Sequence, residues 1–155
     1  MKKLIAVSVL FFGLFITCKS QALVEKDGMY YQNSKLYTGK YTTYYEDGKV
    51  KMNATFKDGM KDGSVNIYYE DGNLQEVRSY KNNQMDGTWE LYNEKNIRTS
   101  EANYKNGLKD GNWFIWNDQG QLLYELKYKN GEKTGTWKKY GPDGKVINER
   151  TYSDQ

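Results

Sequence analysis

Gly39, Gly63, Gly87, Gly111 and Gly135 stand at a constant spacing of 24 residues, so almost everything after residue 38 is one short unit written five times. A period of this length, kept without insertion, implies stacked and structurally equivalent units rather than one wrapped core. With that glycine counted as position zero, position nine is Gly48, Gly72, Asn96, Gly120 and Gly144, and position twenty is Gly59, Asn83, Gly107 and Gly131. Glycine and asparagine tolerate positive φ, which marks both as turn positions. Asp47-Gly48, Asp71-Gly72 and Asp143-Gly144 stand at the first turn, and Asp58-Gly59, Asn106-Gly107 and Asn130-Gly131 at the second. Such dipeptides favour hairpins, so each repeat reads as two strands and two reversals.

A turn residue every nine to eleven positions leaves no room for an ordinary helix, and the stretches Gly63 to Tyr69 and Trp113 to Trp116 are rich in β-branched and aromatic residues. Pro142, the only proline, falls inside a turn, where a hydrogen-bonded ladder tolerates it. The expected fold is all-β: an elongated, single-layer antiparallel meander of five hairpin repeats with no helix, spanning 38–61, 62–85, 86–109, 110–133 and 134–155. Ten strands would span about 45–50 Å across the ribbon. Residues 23–37, with Asp27-Gly28 and Asn33-Ser34, read as a linker and a degenerate hairpin that caps the first repeat.

Three aromatic ladders follow from the same count. Position two is Tyr41, Val65, Trp89, Trp113 and Trp137; position five is Tyr44, Tyr68, Tyr92, Trp116 and Tyr140; position seventeen is Phe56, Tyr80, Tyr104, Tyr128 and Tyr152. Aliphatic residues are sparse in the repeats, so the rings at positions two and seventeen are expected to supply the buried area, with cross-strand pairs contributing about 0.2–1 kcal/mol each. Positions two and five have opposite parity. Either a bulge brings them together or both faces of the sheet carry rings. Position five and its neighbours Tyr45 and Tyr69 are the candidate contact face for a partner.

The phrase Tyr104-Lys-Asn-Gly-Leu-Lys-Asp-Gly-Asn-Trp113, echoed from Phe56 to Val65 and from Tyr128 to Trp137, resembles the MORN repeat. The likeness is to the bacterial variant found in proteins often labelled antitoxins of the YwqK type, and it covers roughly residues 30–155. The resemblance implies a twisted antiparallel meander with one hairpin per repeat. For function it implies scaffolding, partner-binding or lipid-binding modules, with an antitoxin role as the family label suggests.

The start of the chain carries a different message. Met1-Lys2-Lys3 precedes the uncharged, mostly apolar run Leu4 to Ile16, which fits an export signal and is too short to span a bilayer as a helix. Cys18, the only cysteine, follows Phe15-Ile16-Thr17 in the manner of a bacterial lipoprotein site, where it would become the acylated first residue. Alternatively Ser20-Gln21-Ala22 presents an ordinary cleavage site, leaving Leu23 first. Either exit predicts an exported protein of the bacterial cell envelope, lipid-anchored or else periplasmic or secreted, with residues 1–22 as signal and start of the tether.

Composition removes several function classes. Histidine is absent, which excludes Ser-His and Cys-His relays and histidine metal ligation. Acids such as Glu46, Glu70, Asp71 and Asp118 fall in or beside obligatory turns, and EF-hand ligand spacing is nowhere present, so neither an enzyme nor a metal or other cofactor is expected. Lys2 and Lys3 account for two of the formal +3, so a chain starting at Cys18 carries +1 and offers no net electrostatic case for nucleic acid. Lysines at position eighteen (Lys57, Lys81, Lys105, Lys129) and twenty-two (Lys61, Lys109, Lys133) are interleaved with acids and read as a solvated rim that discourages edge pairing. The expected activity is protein binding or scaffolding toward an envelope protein. Alternatives are stacking of polysaccharide such as peptidoglycan on the aromatic ladders, lipid head-group contact, and inhibition of an envelope-acting toxin.

Overall fold

The computed structural model describes residues 22–153. Cys18 and the apolar run before it lie outside the described residues. Every regular element among those described is a strand. β1 (Val24–Lys26), β2 (Met29–Gln32) and β3 (Lys35–Leu36) form a small antiparallel sheet. The repeats supply β4 (Gly39–Tyr44), β5 (Val50–Lys57), β6 (Met60–Tyr68), β7 (Leu74–Lys81), β8 (Gln84–Tyr92), β9 (Arg98–Lys105), β10 (Leu108–Trp116), β11 (Leu122–Lys129), β12 (Glu132–Lys133), β13 (Gly135–Tyr140) and β14 (Val146–Tyr152). β4 to β14 stack in chain order without a crossover, β12 and β13 both pairing with β11. The all-β hairpin meander expected from the period is the observed fold.

The two turns of each repeat differ in kind. The second is a two-residue reversal with both residues at positive φ: Asp58 at 50° and Gly59 at 77°, Asn106 at 49° and Gly107 at 81°, Asn130 at 50° and Gly131 at 89°. That is the mirror-image geometry whose twist matches flanking strands. The first turn is longer, closed by Gly48 N–H to the Tyr45 carbonyl at 3.0 Å and Tyr45 N–H to the Lys49 carbonyl at 2.8 Å. Asp47 and Asp71 accept the amide two residues on. Where the aspartate is missing, the Asn93 and Asn117 side chains at the start of the turn take over that duty.

Adjacent repeats meet at an irregular junction, and position zero lies in it. Between β9 and β10 the register runs Ala102↔Trp113 and then Tyr104↔Lys109, so Asn103 alone faces the three residues Asp110, Gly111 and Asn112. The same skip separates β5 from β6 and β7 from β8. Gly63, Gly87 and Gly111 sit there at φ of 107°, 102° and 104°, and a Cβ on them would come within 3.3 Å of Thr55, 3.0 Å of Ser79 and 3.1 Å of Asn103. The dihedral strains any side chain placed there, and the close approach crowds it. The ladder groups set free at this junction find other partners. The Asn103 carbonyl accepts the Trp113 indole N–H and the Lys127 carbonyl accepts that of Trp137.

Each junction is also clipped along its second-turn rim. Asp86 and Asp110 accept the backbone N–H of Asn106 and Asn130, and the next N–H donates to the Met85 and Lys109 carbonyls. The acids interleaved with the lysines of the expected solvated rim are therefore docking points for the following turn.

The small N-terminal sheet does more than cap one end. Tyr30 packs on Phe56 with ring centroids 4.7 Å apart, Tyr30 N–H donates to the Gly59 carbonyl, and the side chain of Asn83, in the second repeat, donates to the Gly28 carbonyl. The sheet thus lies across the first two repeats, and the buried cluster Ala54, Phe56 and Val65 sits beneath it, joined by Leu23 and Tyr41. These repeats carry Tyr41 and Val65 at position two where the last three carry tryptophan, so the cover stands where the ladder is thinnest.

Replacing Gly87 by alanine is expected to destabilise the fold by about 2–4 kcal/mol, from backbone strain and overpacking together. Gly72→Ala, at positive φ with open space around it, should cost only about 1 kcal/mol. Urea denaturation of the two variants checks the difference, and equal losses would show that the close approach at the junction is unimportant.

Candidate functional site

The first hairpin of each repeat contains a bulge that decides which rings share a face. Thr43 pairs with Met52 but Tyr44 with Val50, leaving Lys51 out of the ladder, and the same slip recurs before Tyr68, Tyr92, Trp116 and Tyr140. The extra residue lies on the returning strand, so the parity of the outgoing strand is untouched. Positions two and five therefore line opposite faces, settling the choice left open by the sequence.

On the first face, position two of one strand and position seventeen of the next alternate in a continuous ladder. Trp89, Tyr104, Trp113, Tyr128, Trp137 and Tyr152 follow one another at centroid distances of 5.8, 5.3, 5.1, 5.1 and 5.0 Å. All six remain half-buried, and the described residues place no second layer above them. Lys109 lies over Trp113 and Tyr128, and Lys133 over Trp137 and Tyr152. Tyr37 fills the equivalent place against Tyr41 and Phe56. The position-twenty-two lysines are thus part of the ladder face rather than of a solvated rim, their ammonium groups drawn to the electron-rich ring faces. At the boundary with the covered repeats, buried Glu76 receives a two-pronged hydrogen bond from Arg78 and the Trp89 indole N–H.

The opposite face carries Tyr44, Tyr68, Tyr92, Trp116 and Tyr140 as one row, a ring per repeat. Tyr44 is 58% exposed and the others are half-buried. In the last three repeats the row is knitted to charged neighbours. Glu90 and Glu101 pair directly across strands, a repulsive placement that Arg98 relieves by bonding both while lying 4.7 Å over Trp116. Phe114 stacks beside Trp116 at 5.6 Å, Tyr92 donates to Glu90, and Tyr140 donates to Glu125 at 2.8 Å. Tyr45 and Tyr69, grouped with this row by the sequence, sit in the turns instead, and their hydroxyls donate to the carbonyls of Tyr68 and Tyr92 in the following repeat. They clip repeats together. Sequence reasoning missed Glu90, Arg98, Glu101, Phe114 and Glu125 because positions three, eleven and fourteen change type along the repeats; parity with position five could have found Glu90 and Phe114, whereas the others lie on the returning strand.

A family model described as the MORN repeat variant matches residues 37–58, 61–82, 109–130 and 133–154. The matches cover more than half of the chain. This chain belongs to the MORN repeat family. The matched stretches leave out 85–106, where Met85 and Asn96 replace the lysine and glycine of other repeats, yet that MORN unit forms the same hairpin with the same bulge. No curated protein matches the chain.

Burial, and then the neighbouring phenols Tyr128 and Tyr152 respectively, raises the Tyr104 and Tyr128 hydroxyls above their ordinary value. Burial followed by the Glu90 charge raises Tyr92, and the hydrogen bond to Glu125 raises Tyr140. A raised folded-state value favours the protonated phenol, so the stability it contributes is complete below the unfolded value of about 10 and is lost as pH climbs through the folded value. Alkaline titration followed by tyrosinate absorbance should show a late-ionising class whose appearance coincides with loss of β circular dichroism. A single ordinary step with the fold intact would contradict this.

Proposed function

We propose that this chain is a non-enzymatic binding ribbon of the bacterial cell envelope, exported by its first residues, anchored through acylated Cys18, and presenting the Tyr44 to Tyr140 row to an envelope protein. The observation that carries the reading is that row: five rings on one face of a repeat scaffold, flanked in the later repeats by Arg98, Glu90, Glu101 and Glu125. Repeat modules of this family generally serve in binding or scaffolding. Aromatic residues beside arginine are what protein interfaces concentrate at their centres. The sequence supports the non-enzymatic reading, since without histidine the usual proton relays are missing. The basic start, the apolar run and Cys18 support the address.

Two measurements test this. A photo-crosslinking residue at Tyr44 or Tyr68 should give a discrete adduct with one envelope protein, and the same residue at exposed Glu46 should not; identical adduct patterns at all three would sink the contact face. The double change Tyr44→Ser and Tyr68→Ser should abolish the adduct formed by a probe at Tyr92 while shifting stability by no more than about 1 kcal/mol. For the anchor, metabolic labelling with a fatty acid should mark the wild type and not Cys18→Ala. An unlabelled wild type would instead favour cleavage after Ala22.

A further inference from the structure

The near-neutral net charge conceals a sorting of charge by face. From Trp89 to Tyr152 the strand positions on the ladder side are Trp89, Leu91, Ser100, Ala102 and Tyr104, then Trp113, Ile115, Tyr124, Leu126 and Tyr128, then Trp137, Lys139, Asn148, Arg150 and Tyr152. No carboxylate stands among them. Glu90, Glu101, Glu125 and Glu149 all stand on the other side. Lys109 and Lys133 add their ammonium groups to the ladder side from the junctions.

Two clefts flank the last ring pair. One, of about 450 Å³, is lined by Lys109, Tyr128, Lys133 and Tyr152, with Glu132 on its wall. The other, of about 230 Å³, is lined by Tyr124, Trp137, Lys139, Asn148, Arg150 and Tyr152. Lys133, Lys139 and Arg150 are exposed, and none has a carboxylate partner among the ion pairs of the described residues. Three exposed cations without a carboxylate partner, each resting on a ring of the floor (Lys133 on Trp137 and Tyr152, Lys139 on Tyr124, Arg150 on Tyr152), present positive charge and aromatic surface together, which suits an anionic ligand with apolar surface of its own.

We propose that the ladder face of the last two repeats binds an acidic polysaccharide, its sugar rings lying along Trp113, Tyr128, Trp137 and Tyr152 and its carboxylate or sulfate groups paired with Lys133, Lys139 and Arg150. The C–H groups of a pyranose present weakly positive apolar surface to the electron-rich ring faces. The ring pair recurs every two strands, about 10 Å, so a polymer engages successive repeats where a single sugar reaches one. Single-stranded nucleic acid also combines stacking with charge. Here, however, neighbouring rings already touch at 5.0–5.1 Å with planes tilted by 53–56°, leaving no slot for a base between them. The proposal concerns the face opposite the Tyr44 row and stands if that protein contact fails.

The test is affinity electrophoresis of the full chain through gels containing polygalacturonate, dextran sulfate or neutral dextran, backed by tryptophan fluorescence titration. Wild type should be retarded by at least one acidic polymer and not by neutral dextran. The triple change Lys133→Glu, Lys139→Glu and Arg150→Glu should weaken binding by about tenfold or more, whereas Lys40→Glu, Lys57→Glu and Lys81→Glu, equal in net charge, should change it by less than about twofold. A thermal melt establishes that both variants fold, and the milder pair Lys139→Gln and Arg150→Gln, expected to weaken binding by about threefold or more, serves if the triple does not. The proposal is overturned if both triples weaken binding alike, if neither acidic polymer retards the wild type, or if neutral dextran retards it equally. It is also overturned if oligothymidylate or phosphatidylglycerol vesicles bind more tightly than either polymer.

Discussion

The rest of the molecule hangs on a close approach of backbone to side chain at the repeat junctions. A Cβ on Gly63, Gly87 or Gly111 would lie 3.3, 3.0 and 3.1 Å from Thr55, Ser79 and Asn103, at dihedrals that other residues rarely adopt. That contact lets one strand residue face three, which turns the chain from one hairpin into the next at a constant offset. Because the ladder is interrupted there, backbone groups must be satisfied in other ways, and the substitutes hold neighbouring repeats together: indole N–H groups of Trp113 and Trp137, carboxylates of Asp86 and Asp110, and stacked second turns.

A single-layer sheet has no interior of its own, and this chain handles its two faces differently. In the first two repeats the small N-terminal sheet supplies the missing layer, and a compact cluster of Ala54, Phe56 and Val65 forms under it. In the last three repeats tryptophan and tyrosine take over, each ring half-buried against its neighbours, with lysine stems and ammonium groups as a partial lid. On the other face, where Glu90 meets Glu101, stability depends on Arg98 bridging a like-charge pair. Rings and charges on both sides thus do structural duty first, and whatever they bind must use groups already partly engaged. Lys133, Lys139 and Arg150 rest on rings but pair with no carboxylate among the ion pairs of the described residues, and Tyr44 is the most exposed ring among them.

Nearly the whole backbone was legible in the sequence. Asn and Gly at positive φ locate both turns of every repeat, and the constant 24-residue step carries the pairing of one hairpin over to all. The side-chain roles were legible only in part. Tyr45 and Tyr69 look like members of an exposed row, but their hydroxyls close onto the next repeat, a contact between residues 23 apart that no local pattern announces. Lys109 and Lys133 look solvated beside their acidic neighbours, yet alternation sends those acids to a turn and the lysines over the rings.

By itself the sequence determined the repeat, the strands, the turn types and the order of pairing, because these follow from residue-level dihedral preferences and a strict period. Only the tertiary structure decided which face each ring and charge occupies and where the N-terminal sheet lies. Those outcomes depend on a bulge that slips Lys51 and its equivalents out of the ladder, and on hydrogen bonds such as Asn83 to Gly28, 55 residues apart. Facing is set by pairing with a strand elsewhere in the chain, so it cannot be read until that pairing exists.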